Sequence, residues 1–113
     1  MPHRWNLDEH RWGERIPVNI PVVVSAPAAA AARFDGCMKN LSLSGALMQA
    51  AVDLNVRTVV RVSILLPTPS AGYAVVEARV SRKVRENIGL EWCEFAPNVV
   101  KELLRSPEVR SSA

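Results

Sequence analysis

Ahead of Pro97 the apolar residues of this chain recur in steps of two, and behind it they recur in steps of three and four. Alternation places successive side chains on opposite faces of a strand, whereas the longer spacing lines one face of a helix. The chain must therefore build most of its structure from half-buried strands and add one helix at its end. In YAVVEARVSRKVR, residues 73–85, Val76, Ala78 and Val80 oppose Glu77, Arg79 and Ser81. Residues 57–67 (RTVVRVSILLP) and 87–95 (NIGLEWCEF) also read as strands, rich in β-branched and aromatic side chains. Behind Pro97, the residues Val99, Val100, Leu103 and Leu104 form the helical stripe, which Ser106-Pro107 ends.

The first half is patterned less simply. Residues 16–25, IPVNIPVVVS, read as a strand, but Pro17 and Pro21 confine it to an edge or a bulge. The alanine-rich run at 26–32 reads as a hairpin connection. Around Asn40 the pattern alternates, with Leu41 and Leu43 on one face and Asn40, Ser42 and Ser44 on the other; Gly45 breaks it and ALMQA resumes. Five to seven strands and one terminal helix predict a mainly β fold, a small antiparallel barrel capped by a helix.

A length of 113 residues suits one domain, and a chain of this size buries roughly 65% of its unfolded surface without needing a disulfide or metal. Residues 1–10 read as a flexible arm, 11–105 as the domain with its helix, and 106–113 as a frayed tail. No apolar run approaches the roughly 20 residues of a membrane span, and no signal peptide is evident, so the expectation is a cytoplasmic protein without membrane insertion. Cys37 and Cys93, the two cysteines, then read as reduced, buried small hydrophobes. Neither they nor His3 and His10 have close metal-ligand spacing, and no metal or cofactor is expected. There is no P-loop, dinucleotide turn, nucleophile elbow or HExxH, so catalysis is not expected. The net charge of +3 is too small to imply DNA or RNA as a partner, but eleven of the fourteen basic residues are arginine. That side chain carries a planar fork suited to phosphates and base edges.

Two short patterns stand out together. Arg11-x-x-x-Arg15 precedes the first strand, and Asn40-x-Ser42-x-x-Gly45 begins 25 residues beyond Arg15. Singly, each has an ordinary reading: solvated arginines, a turn asparagine, a polar strand serine and a bulge glycine. Jointly, at the ends of two strands, they are far more specific.

With these motifs, and with Ile88-Gly89-Leu90-Glu91-Trp92 near the end, the chain resembles a PilZ domain from Arg11 to about Leu104. The resemblance implies a six-stranded antiparallel barrel with a C-terminal helix and a receptor for the second messenger cyclic di-GMP. It implies ligand contacts from Arg11, Arg15, Asn40, Ser42 and Gly45. Further contacts are implied at His10, at Trp12 inside the arginine pair, and at Arg82 or Arg79, where some relatives place a tryptophan against a guanine. His10 stands where many members carry another basic residue, which leaves open whether one or two ligand molecules bind.

The physics suits that ligand, since its phosphates and its guanine O6/N7 acceptors both accept bidentate arginine donors. Asn40 and Ser42 share a strand face, and Gly45 leaves room for the ligand and for a positive φ. On this reading the protein orders its RxxxR segment on binding cyclic di-GMP and signals to an effector protein, as a monomer or homodimer. The alternatives are a PilZ-type protein–protein adaptor that binds no nucleotide, and a β-barrel that binds single-stranded nucleic acid.

Overall fold

A computed structural model describes residues 14–26, 32–65 and 72–105. Six strands are present: β1 (Ile16–Ala26), β2 (Ala32–Leu41), β3 (Gly45–Gln49), β4 (Val59–Leu65), β5 (Tyr73–Val84) and β6 (Asn87–Trp92). They close into a barrel in the order β1-β2-β3-β6-β5-β4, every pair antiparallel. One helix follows, α1 (Asn98–Arg105). The expected barrel and terminal helix are therefore both present, and no helix among the described residues is long and apolar enough to cross a membrane.

The alternation seen in the sequence sets which faces are buried. In β5, Val76, Ala78 and Val80 point inward, with Glu77, Arg79 and Ser81 exposed between them. Met38, Leu41, Met48, Ile64, Ile88 and Leu90 are among the largest fully buried side chains, and α1 adds Leu103 and Val100 to the same core. Burying such a side chain contributes about 1.5–3 kcal/mol, so the core carries most of the stability.

The prolines of β1 occupy the positions that tolerate them. The β1–β4 ladder spans only Val22–Ser25, so Pro17 and Pro21 lie where β1 pairs with β2 alone. Pro17 also sits beside a register shift, where a missing N–H breaks no regular ladder. The connection between β3 and β4 is held to β5 by Lys83, which donates to and pairs with the exposed Asp53. The hydrogen bond and the charge of Lys83 hold the Asp53 carboxyl below its ordinary value.

Both cysteines depart from the buried reading. Cys37 is half-buried on the outer side of β2, with its Sγ donating to Asn19 Oδ1 at 2.9 Å. Cys93 is exposed because β6 ends on the inward Trp92 and the next residue faces outward.

The β5–β6 hairpin turns on Arg85 and Glu86, between the paired Val84 and Asn87. Arg85 has φ +58°, the left-handed value a II′ turn requires at its first central residue, where glycine is favoured. Backbone strain there costs roughly 1–3 kcal/mol, against a loss of about 0.5–1 kcal/mol for introducing glycine. Arg85→Gly is expected to stabilise the domain by about 1 kcal/mol, read as a higher midpoint in urea unfolding. An unchanged or lower midpoint contradicts the strain.

Candidate functional site

Three of the barrel's ladders are irregular, and all three irregularities fall near one lateral row. Register shifts occur between Pro17 and Ile20 in β1, Met38 and Asn40 in β2, and Val80 and Arg82 in β5. Across the strands Pro17 pairs with Asn40, Asn40 with Leu47, Leu47 with Gly89 and Gly89 with Arg82. A bulge bends its strand and re-aims the next side chain. Here the shifts bring Asn40 and Arg82 onto one row with the half-buried Leu47 and the side-chain-free Gly89 between them.

Asn40 is fixed from two sides. Its Oδ1 accepts the Leu47 backbone N–H at 3.0 Å and the Arg15 Nη1–H at 2.9 Å. With the oxygen occupied, its amide NH2 is the group left to donate outward. At the far end of the row, the stem of Arg82 crosses the bare face of Gly89: a Cβ built on Gly89 would lie 2.8 Å from Arg82 Cγ. Arg82 makes no ion pair among the described residues, whereas Arg79 reaches Glu91 at 3.9 Å. Of the two arginines weighed in β5, Arg82 is the one on the row. The result is a narrow apolar strip, Leu47 and Gly89, with hydrogen-bond donors at both ends. Such a surface complements a flat ring system bearing anionic or carbonyl oxygens.

The Asn-x-Ser-x-x-Gly segment builds this row differently from the strand alternation expected of it. β2 ends at Leu41, so Ser42 lies in the turn before β3 and does not share a face with Asn40. Ser42 is completely buried. Its Oγ accepts the Gly45 N–H at 3.2 Å and the Ser44 N–H at 3.3 Å and lies 3.1 Å from Ser44 Oγ. Its backbone N–H donates to the Gly45 carbonyl at 2.8 Å. The hydroxyl builds the turn.

Gly45 is needed for space and not for φ, since Gly72 is the glycine with positive φ among the described residues. A Cβ at Gly45 would stand 2.0 Å from the Leu90 carbonyl oxygen of β6. The backbone that approaches Gly45 belongs to the protein itself.

Sequence reasoning missed the contribution of Trp92. It is buried, and it also holds the turn: its Nε1–H donates to the Ser42 carbonyl at 3.0 Å and its backbone N–H to the Ser44 carbonyl at 3.0 Å. The Ala96 N–H donates to the Leu43 carbonyl between them at 3.1 Å. Three successive carbonyls of the turn are thus tied to one segment, residues 92–96. No local pattern reveals this, because 50 residues separate Trp92 from Ser42. Leu47 and Gly89 were missed for the same reason, since an apolar residue and a glycine acquire meaning only through cross-strand register. His10, Arg11 and Trp12 lie outside the described residues.

Two substitutions test this construction. Gly45→Ala forces β3 away from β6 and is expected to cost about 3 kcal/mol, since an overpacked site with backbone on the far side has little room to relax. Trp92→Phe keeps the ring but leaves the Ser42 carbonyl without its donor, at about 1–3 kcal/mol. Urea unfolding midpoints measure both, and a near-neutral result for either removes that contact from the turn's support.

The match to known proteins agrees with the barrel. The PilZ domain family model covers residues 9–106. The fold is similar to the PilZ domain of CeSA from a cellulose-synthesizing bacterium, with a TM-score of 0.67 and 22% identity over 82% of this chain and 100% of that one. It is similar to the PilZ domain of YcgR from Escherichia coli, solved with c-di-GMP, at a TM-score of 0.63 and 16% identity over 88% of each chain. The Bacillus subtilis inhibitor of motility MotI/DgrA aligns at a TM-score of 0.62 and 21% identity, over 80% of this chain and 46% of that one. No curated protein matches the chain in sequence. A family match across nearly the whole chain, on a closed six-stranded antiparallel barrel followed by one helix, identifies the chain as a member of the PilZ domain family.

Proposed function

We propose that this PilZ domain is a non-enzymatic receptor for cyclic di-GMP that passes its occupancy to a partner protein. The observation that carries the reading is the row Arg15–Asn40–Leu47–Gly89–Arg82, an apolar strip with donors at each end. A cyclic dinucleotide offers the complement, phosphate oxygens and guanine O6/N7 acceptors around flat rings. Guanidinium groups meet both bidentately. That the similar YcgR domain was solved with c-di-GMP supports the same ligand for this chain.

The roles divide by position. Arg15, held by Asn40 at the start of β1, supplies charge and a donor fork. The Asn40 NH2 supplies a neutral donor whose direction is set by the Leu47 N–H behind it. Leu47 and Gly89 form the floor, and the Arg82 guanidinium stacks on a base. Ser42 and Gly45 contribute by shaping the turn that follows Asn40. Ordering of the Arg11–Arg15 segment on the bound ligand, with His10 and Trp12 beside it, is the proposed switch, which alters the surface a partner meets.

Calorimetric titration with cyclic di-GMP, with GTP as control, tests the reading. Wild type is expected to bind saturably. Arg15→Ala and Arg11→Ala are each expected to weaken binding about tenfold to a hundredfold, the equivalent of roughly 1–3 kcal/mol. Arg15→Lys should recover little of that loss, because an ammonium lacks the planar fork. Absence of binding, or binding indifferent to both arginines, rules the receptor reading out.

A further inference from the structure

A second surface lies away from the row, on the outer face of β4 and β5. Leu65 and Tyr73 pair directly across these strands, and Val75 follows two residues on, facing the same side. These side chains are 49%, 67% and 59% exposed. Large apolar residues left exposed as neighbours mark contact surfaces more often than isolated ones do.

Val75 continues into a cleft of about 360 Å³ between β5 and the link from β6 to α1. Its walls are Val75, Val76 and Glu77 on one side and Cys93, Glu94, Pro97 and Val99 on the other, with Asn98 at the helix start. The Cys93 N–H donates to the Glu77 carbonyl at 3.0 Å, which joins the two walls at their base. The cleft is therefore preformed, so a partner need not order its walls.

Charge decides what fits. The chain carries a net +3, yet the cleft is lined by two carboxylates and no lysine or arginine. Arg61 approaches Glu77 from β4 at 3.5 Å, while Glu94 makes no ion pair among the described residues. Apolar walls bearing carboxylates select an aliphatic side chain with a cation beside it.

We infer that the Val75–Glu94 cleft docks an extended segment of a partner protein in which an aliphatic residue is flanked by lysine or arginine. The position suits an output surface. The segment tied to the carbonyls of Ser42, Leu43 and Ser44 runs from Trp92 to Ala96 and includes the cleft residues Cys93 and Glu94. Ala96 holds φ +49° in that segment, so one wall of the cleft and the Ser42–Ser44 turn are held by a single conformationally constrained piece of chain.

Selection of a phage-displayed random heptapeptide library on the nucleotide-free 113-residue chain tests the docking without relying on cyclic di-GMP. Enriched peptides are expected to place lysine or arginine next to leucine, isoleucine or valine. The best of them, resynthesised, should shift the amide resonances of Val75, Glu94 and Val99. Val75→Asp and Glu94→Lys should each weaken it about tenfold or more, the range of a central contact, while Gln49→Lys on the β3 side leaves it unchanged. No enrichment, an acidic or cation-free consensus, or binding that survives Val75→Asp overturns the proposal. So do nuclear Overhauser contacts to the Val75 methyls from residues 106–113 of the same chain, or from a second copy as concentration rises.

Discussion

The closest constraint in this barrel is the approach of β3 to β6 at Gly45. The Leu90 carbonyl lies where a Cβ would stand, at 2.0 Å, so any larger residue pushes the strands apart. That approach supports the register of the whole β3–β6 pair, from Gly45 opposite Glu91 to Gln49 opposite Asn87. It thereby helps place Leu47 beside Gly89 and gives Asn40 an N–H to lean on. The candidate site is thus an outcome of how tightly two strands meet several residues away.

Around that contact the turn is rigid for a reason visible in its polar groups. Buried backbone groups need partners, and here the Ser42 hydroxyl, the Trp92 indole and the Ala96 amide supply them. None of the buried side-chain nitrogens and oxygens among the described residues lacks a hydrogen bond. A turn held this way fixes the end of β2 just beyond Asn40, whose side chain is itself held by the Leu47 N–H and the Arg15 guanidinium. The segment that supplies two of these partners, residues 92–96, continues into α1, so site and helix are joined by short, buried connections.

The three bulges show how a barrel core and a polar surface row are reconciled. A regular strand of period two would fix every outward position by its distance from an inward one. Shifts in β1, β2 and β5 relax that rule locally, so Met38 and Leu41 both point into the core while the two residues between them are half-buried. The same device at Val80 and Arg82 sets the Arg82 stem across Gly89. The irregularities interrupt ladder hydrogen bonds, and in return they bring residues from four strands to one line.

Much of this was legible in the order of residues. Alternation at Val76, Ala78 and Val80 settles a strand with one buried face, and the spacing of Val100 and Leu103 settles a helix, because each periodicity satisfies only one backbone geometry. Of the arginine and Asn-x-Ser-x-x-Gly motifs, Arg15 and Asn40 are brought together by a hydrogen bond. What the motifs could not show was that Ser42 would turn inward, that Gly45 would answer to a carbonyl rather than to a torsion angle, or that Cys93 would face solvent. Nor could they show that Leu47, Gly89 and Arg82 would stand in line with Asn40. Periodicity and composition are local properties and are written in the chain. Register, bulge position and the approach of two backbones depend on closing six strands into one barrel, and only the tertiary structure decides them.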